Sequence, residues 1–214
     1  MKVAYLTVGP VAENTFLVIN DEAENAALLI DPGDDPDNIS QAIQETGADV
    51  KAILLTHTHF DHVGAVKPMV DELGVEVWVP ELERHILADI NKYMSFPGVG
   101  PFESYEAEHT VKGGEHLELA GFDIDVFFTP GHSPGHVSYS VRDQLALFSG
   151  DVLFQGSIGR TDLPGGDHQT LLDSIAMLMD KLPPGTAVFP GHMGVTTLEA
   201  EAASNPFITG AVQG

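Results

Sequence analysis

The chain has 214 residues, with 32 acids against 9 bases and a formal net charge of −23. So few basic residues cannot build the face that a phosphate backbone or an anionic membrane surface needs. Cysteine is absent, which removes disulfides, thiolate metal sites and cysteine nucleophiles together. No apolar run approaches the ~18 residues of a membrane span, and Gly9-Pro10 arrives too early for a signal peptide. A cytoplasmic protein follows, one that binds neither nucleic acid nor membrane. Apolar residues at 43% and a mean hydropathy of +0.04 are ordinary for a globular protein, read here as one domain over residues 1–214.

Three short apolar stretches bounded by turn residues, Val3–Val8, Thr15–Ile19 and Ala26–Ile30, predict antiparallel strands. After the loop Asp31–Pro36, Asp37 can cap a helix that runs to Thr46 and stops at Gly47. The continuous run Ala52–Leu55 predicts a strand buried on both faces. A helix from Val63 to Leu73, a strand Val75–Val79 and a helix from Glu81 to Tyr93 follow, and Met94–Phe102 reads as an irregular loop. Further strands are expected at His116–Leu119, Phe122–Phe128, Val137–Val141 and Leu145–Phe148. Leu171, Leu172, Ile175, Leu178, Met179 and Leu182 form one face of a helix over Gln169–Leu182. A turn at Pro183-Pro184-Gly185 then leads into a strand at Ala187–Phe189. Strands mixed with helices in both halves give an α/β class.

Placement of the ten histidines is the informative feature. His57, His59, Asp61 and His62 stand together directly after the buried strand, a cluster expected roughly 0.002 times by chance at this composition. Residues two apart in an extended segment project to one side, so His57 and His59 can share an ion. Asp61 and His62 lie where the chain turns into a helix and can face a second ion. Three more such residues, His132, Asp151 and His192, each follow an apolar strand beside small turn residues. Loops at strand ends are where sites assemble. Imidazole with carboxylate suits zinc, iron or manganese. His85, His109, His116 and His168 read as ordinary polar residues, and His136 as structural or as a support to the ligands.

The run Thr56-His57-Thr58-His59-Phe60-Asp61-His62, followed in order by His132, Asp151 and His192, resembles the metallo-β-lactamase-fold hydrolases. The resemblance covers about Lys2 to Phe207. The segment Gly150–Gly166, the ending Pro190-Gly191-His192-Met193-Gly194-Val195-Thr196-Thr197 and Asn205-Pro206-Phe207 are similar to the short bacterial glyoxalase II-like (hydroxyacylglutathione hydrolase) group. The resemblance implies an αββα sandwich with the active site at one edge of the two sheets. It also implies two divalent metal ions, zinc first, with iron or manganese as alternatives. His57, His59 and His132 would hold one, Asp61, His62 and His192 the other, and Asp151 would bridge them, with a water or hydroxide between. Asp61 would also orient the attacking water. The implied activity is hydrolysis of a small anionic thioester of the S-lactoylglutathione kind, with Arg160 as candidate anchor for a substrate carboxylate.

Two departures bear on substrate. Longer glyoxalase II enzymes have a C-terminal helical region that helps hold glutathione, and a tyrosine where Gly194 stands here. β-Lactamases of this fold typically place a cysteine on the second metal, and its absence argues against antibiotic hydrolysis. Iron-dependent persulfide dioxygenases share the ligands and a Gly-Arg-Thr-Asp segment, but typically continue with Phe-Gln where this chain has Leu163-Pro164. Lactone or other ester hydrolysis on the same scaffold is the remaining enzymatic alternative. A non-catalytic metal-binding module is the rival of another class, and it has no need of a bridging aspartate.

Overall fold

The structure, a computed structural model, describes residues 1–93 and 100–210. It divides into two compact units, Met1–Val111 with Glu118–Phe122, and Lys112–Leu117 with Asp123–Gly214. Most of the irregular loop expected at Met94–Phe102 lies outside the described residues.

The first unit opens with β1 (Lys2–Val8), β2 (Glu13–Asn20) and β3 (Ala26–Ile30), paired antiparallel in that order as the sequence predicts. The helix α1 (Pro36–Thr46) starts one residue before Asp37, because the fixed φ of Pro36 suits a first helical position. Next come β4 (Asp49–Leu54), α2 (Phe60–Val63), α3 (Val66–Leu73), β5 (Glu76–Pro80), a 3-10 turn at Glu81–Glu83, α4 (Arg84–Ala88), α5 (Ile90–Tyr93) and β6 (His109–Val111). Strands β3, β4, β5 and β6 run parallel, so the six-stranded sheet is mixed. Its core gathers Leu29 and Ile53 from the strands with Ile39 and Ile43 of α1 and Val66 and Met69 of α3. Each fully buried side chain of this size contributes about 1.5–3 kcal/mol.

The single helix expected over Val63–Leu73 is two. The Ala65 N–H donates to the carbonyl of Pro32 at 3.0 Å rather than into a helical ladder, so the chain turns between α2 and α3. Likewise the helix expected over Glu81–Tyr93 is interrupted at Asp89 (φ −146°).

The second sheet comprises β7 (His116–Leu119), β8 (Phe122–Phe128), β9 (Val137–Val141), β10 (Ala146–Gly150), β13 (Ala187–Pro190) and β14 (Thr196–Thr197). Its order is β14-β13-β10-β9-β8-β7, with β10 and β13 parallel. A two-residue hairpin, β11 (Leu153–Phe154) and β12 (Ser157–Ile158), follows β10. In α6 (His168–Lys181) the Asp167 carboxylate accepts from the Thr170 N–H at 2.8 Å and caps the helix. Leu171, Ile175 and Leu178, spaced for one helical face, pack with Leu147 of β10, Val188 of β13 and Leu198 of α7 (Leu198–Ser204). Two mixed sheets with helices against them make the chain α/β. Among the described residues no helix is long and apolar enough to cross a membrane.

Candidate functional site

In the first unit, parallel pairing sets Ile30 beside Leu54, so the residues after β3 and β4 emerge as neighbours. Asp31, buried, accepts the Thr56 N–H at 2.7 Å and the Thr56 hydroxyl at 2.6 Å. The same carboxylate accepts from His62 Nδ1 at 3.0 Å. With its proton committed to Asp31, the Thr56 hydroxyl accepts from His57 Nδ1, 3.1 Å away. Both imidazoles therefore donate through Nδ1, which leaves Nε2 as the nitrogen that a neutral ring could offer to a metal. His57 Nε2 lies 3.1 Å from His59 Nδ1, and the His57 and His62 rings are 4.1 Å apart. Asp61, on the first turn of α2, places Oδ2 3.9 Å from His62 Nε2. This approach requires Gly33, since a Cβ there would sit 1.8 Å from the Asp61 carbonyl oxygen.

Two buried acids support the loop. Glu83 accepts from the Thr58 N–H at 2.8 Å and from its hydroxyl at 3.0 Å. Glu13 lies 3.7 Å from His62 Nδ1, and burial holds its carboxyl well above the usual carboxylate range.

In the second unit the parallel register of β10 and β13 sets Gly150 beside Pro190, and the Gly191 N–H donates to the Gly150 carbonyl at 2.9 Å. Asp151 and His192 thus leave neighbouring strand ends together. His132 comes from the β8–β9 connection. Its Nε2 lies 3.4 Å from Asp151 Oδ2, and His192 Nε2 lies 3.5 Å from that same oxygen. The Arg160 carbonyl accepts from His132 Nδ1 at 2.8 Å, which turns Nε2 towards Asp151. A Cβ on Gly159 would lie 1.9 Å from the Asp151 carbonyl oxygen, so the Gly-rich loop rests directly on this residue.

His136 is not aimed as a ligand. Its Nε2 accepts the Asp151 N–H at 3.1 Å, which leaves Nδ1 to donate to Thr129 Oγ1 at 3.0 Å, with Ser138 Oγ 2.9 Å beyond. Among the histidines read as ordinary, His109 meets Glu76 at 2.7 Å, His116 lies 3.2 Å from both Asp123 and Asp125, and His85 packs on the Tyr93 ring. The guanidinium of Arg160, largely exposed, is held through two nitrogens by Asp162 at 2.7 Å.

The donor sets fit divalent ions. Two ligands each about 2.1 Å from a tetrahedral ion lie about 3.4 Å apart, the scale of the separations at His57–His59, His132–Asp151 and His192–Asp151. Each unit by itself brings its own expected ligands together, four in the first and three in the second. Sequence reasoning passed over Asp31, although it follows an apolar strand just as the candidate ligands do. Glu13 and Glu83 carry no such local signal.

Known proteins bear on this arrangement. The Bacillus subtilis protein described as probable metallo-hydrolase YqgX is 41% identical, over 98% of this chain and 99% of its own. Hydroxyacylglutathione hydrolase GloC of Haemophilus influenzae is 36% identical, over 97% of this chain and 98% of its own. The crystal structure of BLEG-1 B3 metallo-beta-lactamase aligns with a TM-score of 0.91 at 40% identity, covering 97% of this chain and 100% of that one. The family model of the metallo-beta-lactamase superfamily matches residues 8–192, from the last residue of β1 to the last histidine of the chain. On that match, the chain belongs to the metallo-beta-lactamase superfamily, a family of metal-dependent enzymes.

Proposed function

We propose that the chain is a metal-dependent hydrolase that cleaves the thioester of a low-molecular-weight thiol, with S-lactoylglutathione as model substrate. His57, His59 and His132 would hold one divalent ion, Asp61, His62 and His192 a second, and Asp151 would be shared. Zinc suits this donor set, and iron or manganese can replace it. The observation that carries the reading is the convergence of two imidazole nitrogens on one Asp151 oxygen, at 3.4 and 3.5 Å. When bound, such ions supply a water of lowered pKa and polarise a carbonyl.

The chain's own residues do the positioning. Asp31 and the Arg160 carbonyl accept from Nδ1 of His62 and His132 and orient those rings, and His136 holds the main chain of Asp151. Asp61 is the carboxylate we assign to orienting the attacking water. A thiolate departs without a proton from a general acid, so a thioester asks less of the protein than an oxygen ester or an amide does. The name of the GloC relative supports a thioester substrate. The missing cysteine does not separate thioesters from β-lactams, because a chain 40% identical is described as a B3 metallo-beta-lactamase.

The test uses metal-free protein loaded separately with zinc, manganese and iron, given millimolar S-lactoylglutathione, and followed by thiol release. Parallel arms carry a chromogenic cephalosporin, a lactone and glutathione persulfide with an oxygen electrode. Thiol release that exceeds every other arm is the expected result. Asp151→Ala should lower bound metal below two ions per chain and cut turnover at least ~100-fold, with the far-ultraviolet circular dichroism retained. Oxygen uptake or β-lactam opening without thioester cleavage overturns the reading, as does an Asp151→Ala variant with two bound metals and normal rate.

A further inference from the structure

The short helix α7 and the residue after it bury two polar side chains. Glu201 is 2% exposed, and Asn205, which ends the helix, is fully buried. One Glu201 carboxylate oxygen accepts from the Gly156 N–H at 2.9 Å and from the Asn205 carboxamide at 2.7 Å. The other accepts from the Thr196 hydroxyl at 2.6 Å. The Asn205 carboxamide also donates to the Ser157 carbonyl at 2.9 Å. All the donors to the carboxylate are neutral groups. Burying a carboxylate among neutral groups is less favourable than burying an apolar side chain of similar size, so stability alone gives no reason for glutamate at this position.

The groups that Glu201 and Asn205 fasten belong to two segments of the second unit. Gly156 and Ser157 lie at the tip of the β11–β12 hairpin, and both arms of that hairpin reach the candidate ligands. On the first arm, the Phe154 ring stands edge-on to the His192 ring, centroids 5.8 Å apart. Past the second arm, Gly159 rests on the Asp151 carbonyl and the Arg160 carbonyl accepts from His132 Nδ1. Thr196 opens β14 and pairs with Val188 of β13, the strand that ends just before His192. One buried carboxylate therefore joins the hairpin that backs His132 and Asp151 to the strands on either side of His192.

We propose that Glu201 is a positioning residue for the metal centre: through the hairpin tip and β14 it holds His132, Asp151 and His192 at the spacing that bound ions require. This rests on the reading of those three residues as ligands. A site held to within about 0.5 Å before its ligand arrives binds it more tightly than one that must assemble. Glutamine can preserve the fastening, since its oxygen can accept from Gly156 and Asn205 while its nitrogen donates to the Thr196 hydroxyl. Alanine cannot.

Zinc affinity, read by competition with a chromogenic chelator, tests the proposal in the wild type, Glu201→Ala, Glu201→Gln and Thr196→Val. The absorption spectrum of each cobalt(II)-loaded protein reports the geometry around the ion. Ile124→Ala, a cavity in β8 outside this network, serves as the comparison for general loss of stability. Glu201→Ala should bind zinc at least ~10-fold more weakly than the wild type, with an altered cobalt spectrum. Thr196→Val, which loses one of the hydrogen bonds, should fall between the two, and Glu201→Gln should recover most of the affinity. Ile124→Ala should lower Tm yet keep wild-type zinc affinity and the wild-type cobalt spectrum. Wild-type affinity in Thr196→Val and in folded Glu201→Ala overturns the proposal, and Thr196→Val decides alone if Glu201→Ala does not fold. A loss in Ile124→Ala or in Glu201→Gln as large as that in Glu201→Ala overturns it too. A wild type that does not bind two zinc ions instead overturns the ligand reading on which the proposal rests.

Discussion

Arg160 and Asp162 illustrate how much one side chain's partner decides. The guanidinium beside it pulls the Asp162 carboxyl down to about 2. A carboxylate with a lowered folded-state pKa stabilises above its unfolded value of about 3.9, and that contribution is lost as pH falls towards about 2. In Arg160→Ala, a nuclear magnetic resonance titration should find the Asp162 carboxyl back near 3.9, with Tm at neutral pH almost unmoved because the pair is exposed. Anchoring an anionic substrate requires the guanidinium fork to be released from Asp162. Arg160→Ala should therefore raise KM for S-lactoylglutathione more than it lowers kcat, while Asp162→Ala lowers KM; identical KM values in both would leave the residue only its backbone role. His136 offers a second test at this scale. His136→Asn cannot reach the Asp151 N–H and should cost about 1–3 kcal/mol by denaturant unfolding. His136→Gln, long enough to accept that hydrogen bond, should recover part of the loss together with the bound metal.

Among the elements, the Gly-rich loop after β10 rests directly on the candidate ligand Asp151. Gly159→Ala forces a Cβ against the Asp151 carbonyl, so a loss of about 1–3 kcal/mol is expected together with reduced metal content. Normal metal binding in that variant would show the loop to be independent of Asp151. Long periodic elements such as α6 were legible in the sequence because their apolar spacing is set by their own burial. The strand ends bearing His57, Asp151 and His192 were legible too, as apolar runs that stop at metal-type residues. The break between α2 and α3 was not, since it depends on Ala65 donating to Pro32, a residue 33 positions earlier. Two-residue strands such as β11, β12 and β14 carry no period to detect. Glu83 was missed for a related reason: it acts on Thr58, 25 positions away, through contacts that only the folded chain brings together.

For the whole molecule, charge weighs most. An excess of 23 acids repels itself at low ionic strength, and salt shortens the range of that repulsion to about 8 Å at 0.15 M. Tm should climb as potassium chloride is raised from a few millimolar towards molar, and the apparent KM for anionic thioesters should fall over the same range. A flat Tm would mean that the acids are already balanced locally. The superfamily was readable from the order of the His and Asp motifs alone, because each of them stands where an apolar strand ends.

The rings of His57, His62 and His132 are each tied on one side by protein oxygen, from Thr56, Asp31 and Arg160. Each ring is thus held in place by an oxygen of the protein itself. A ring restrained on one side has less rotational freedom left to lose, so whatever meets its other nitrogen pays a smaller entropic cost on binding.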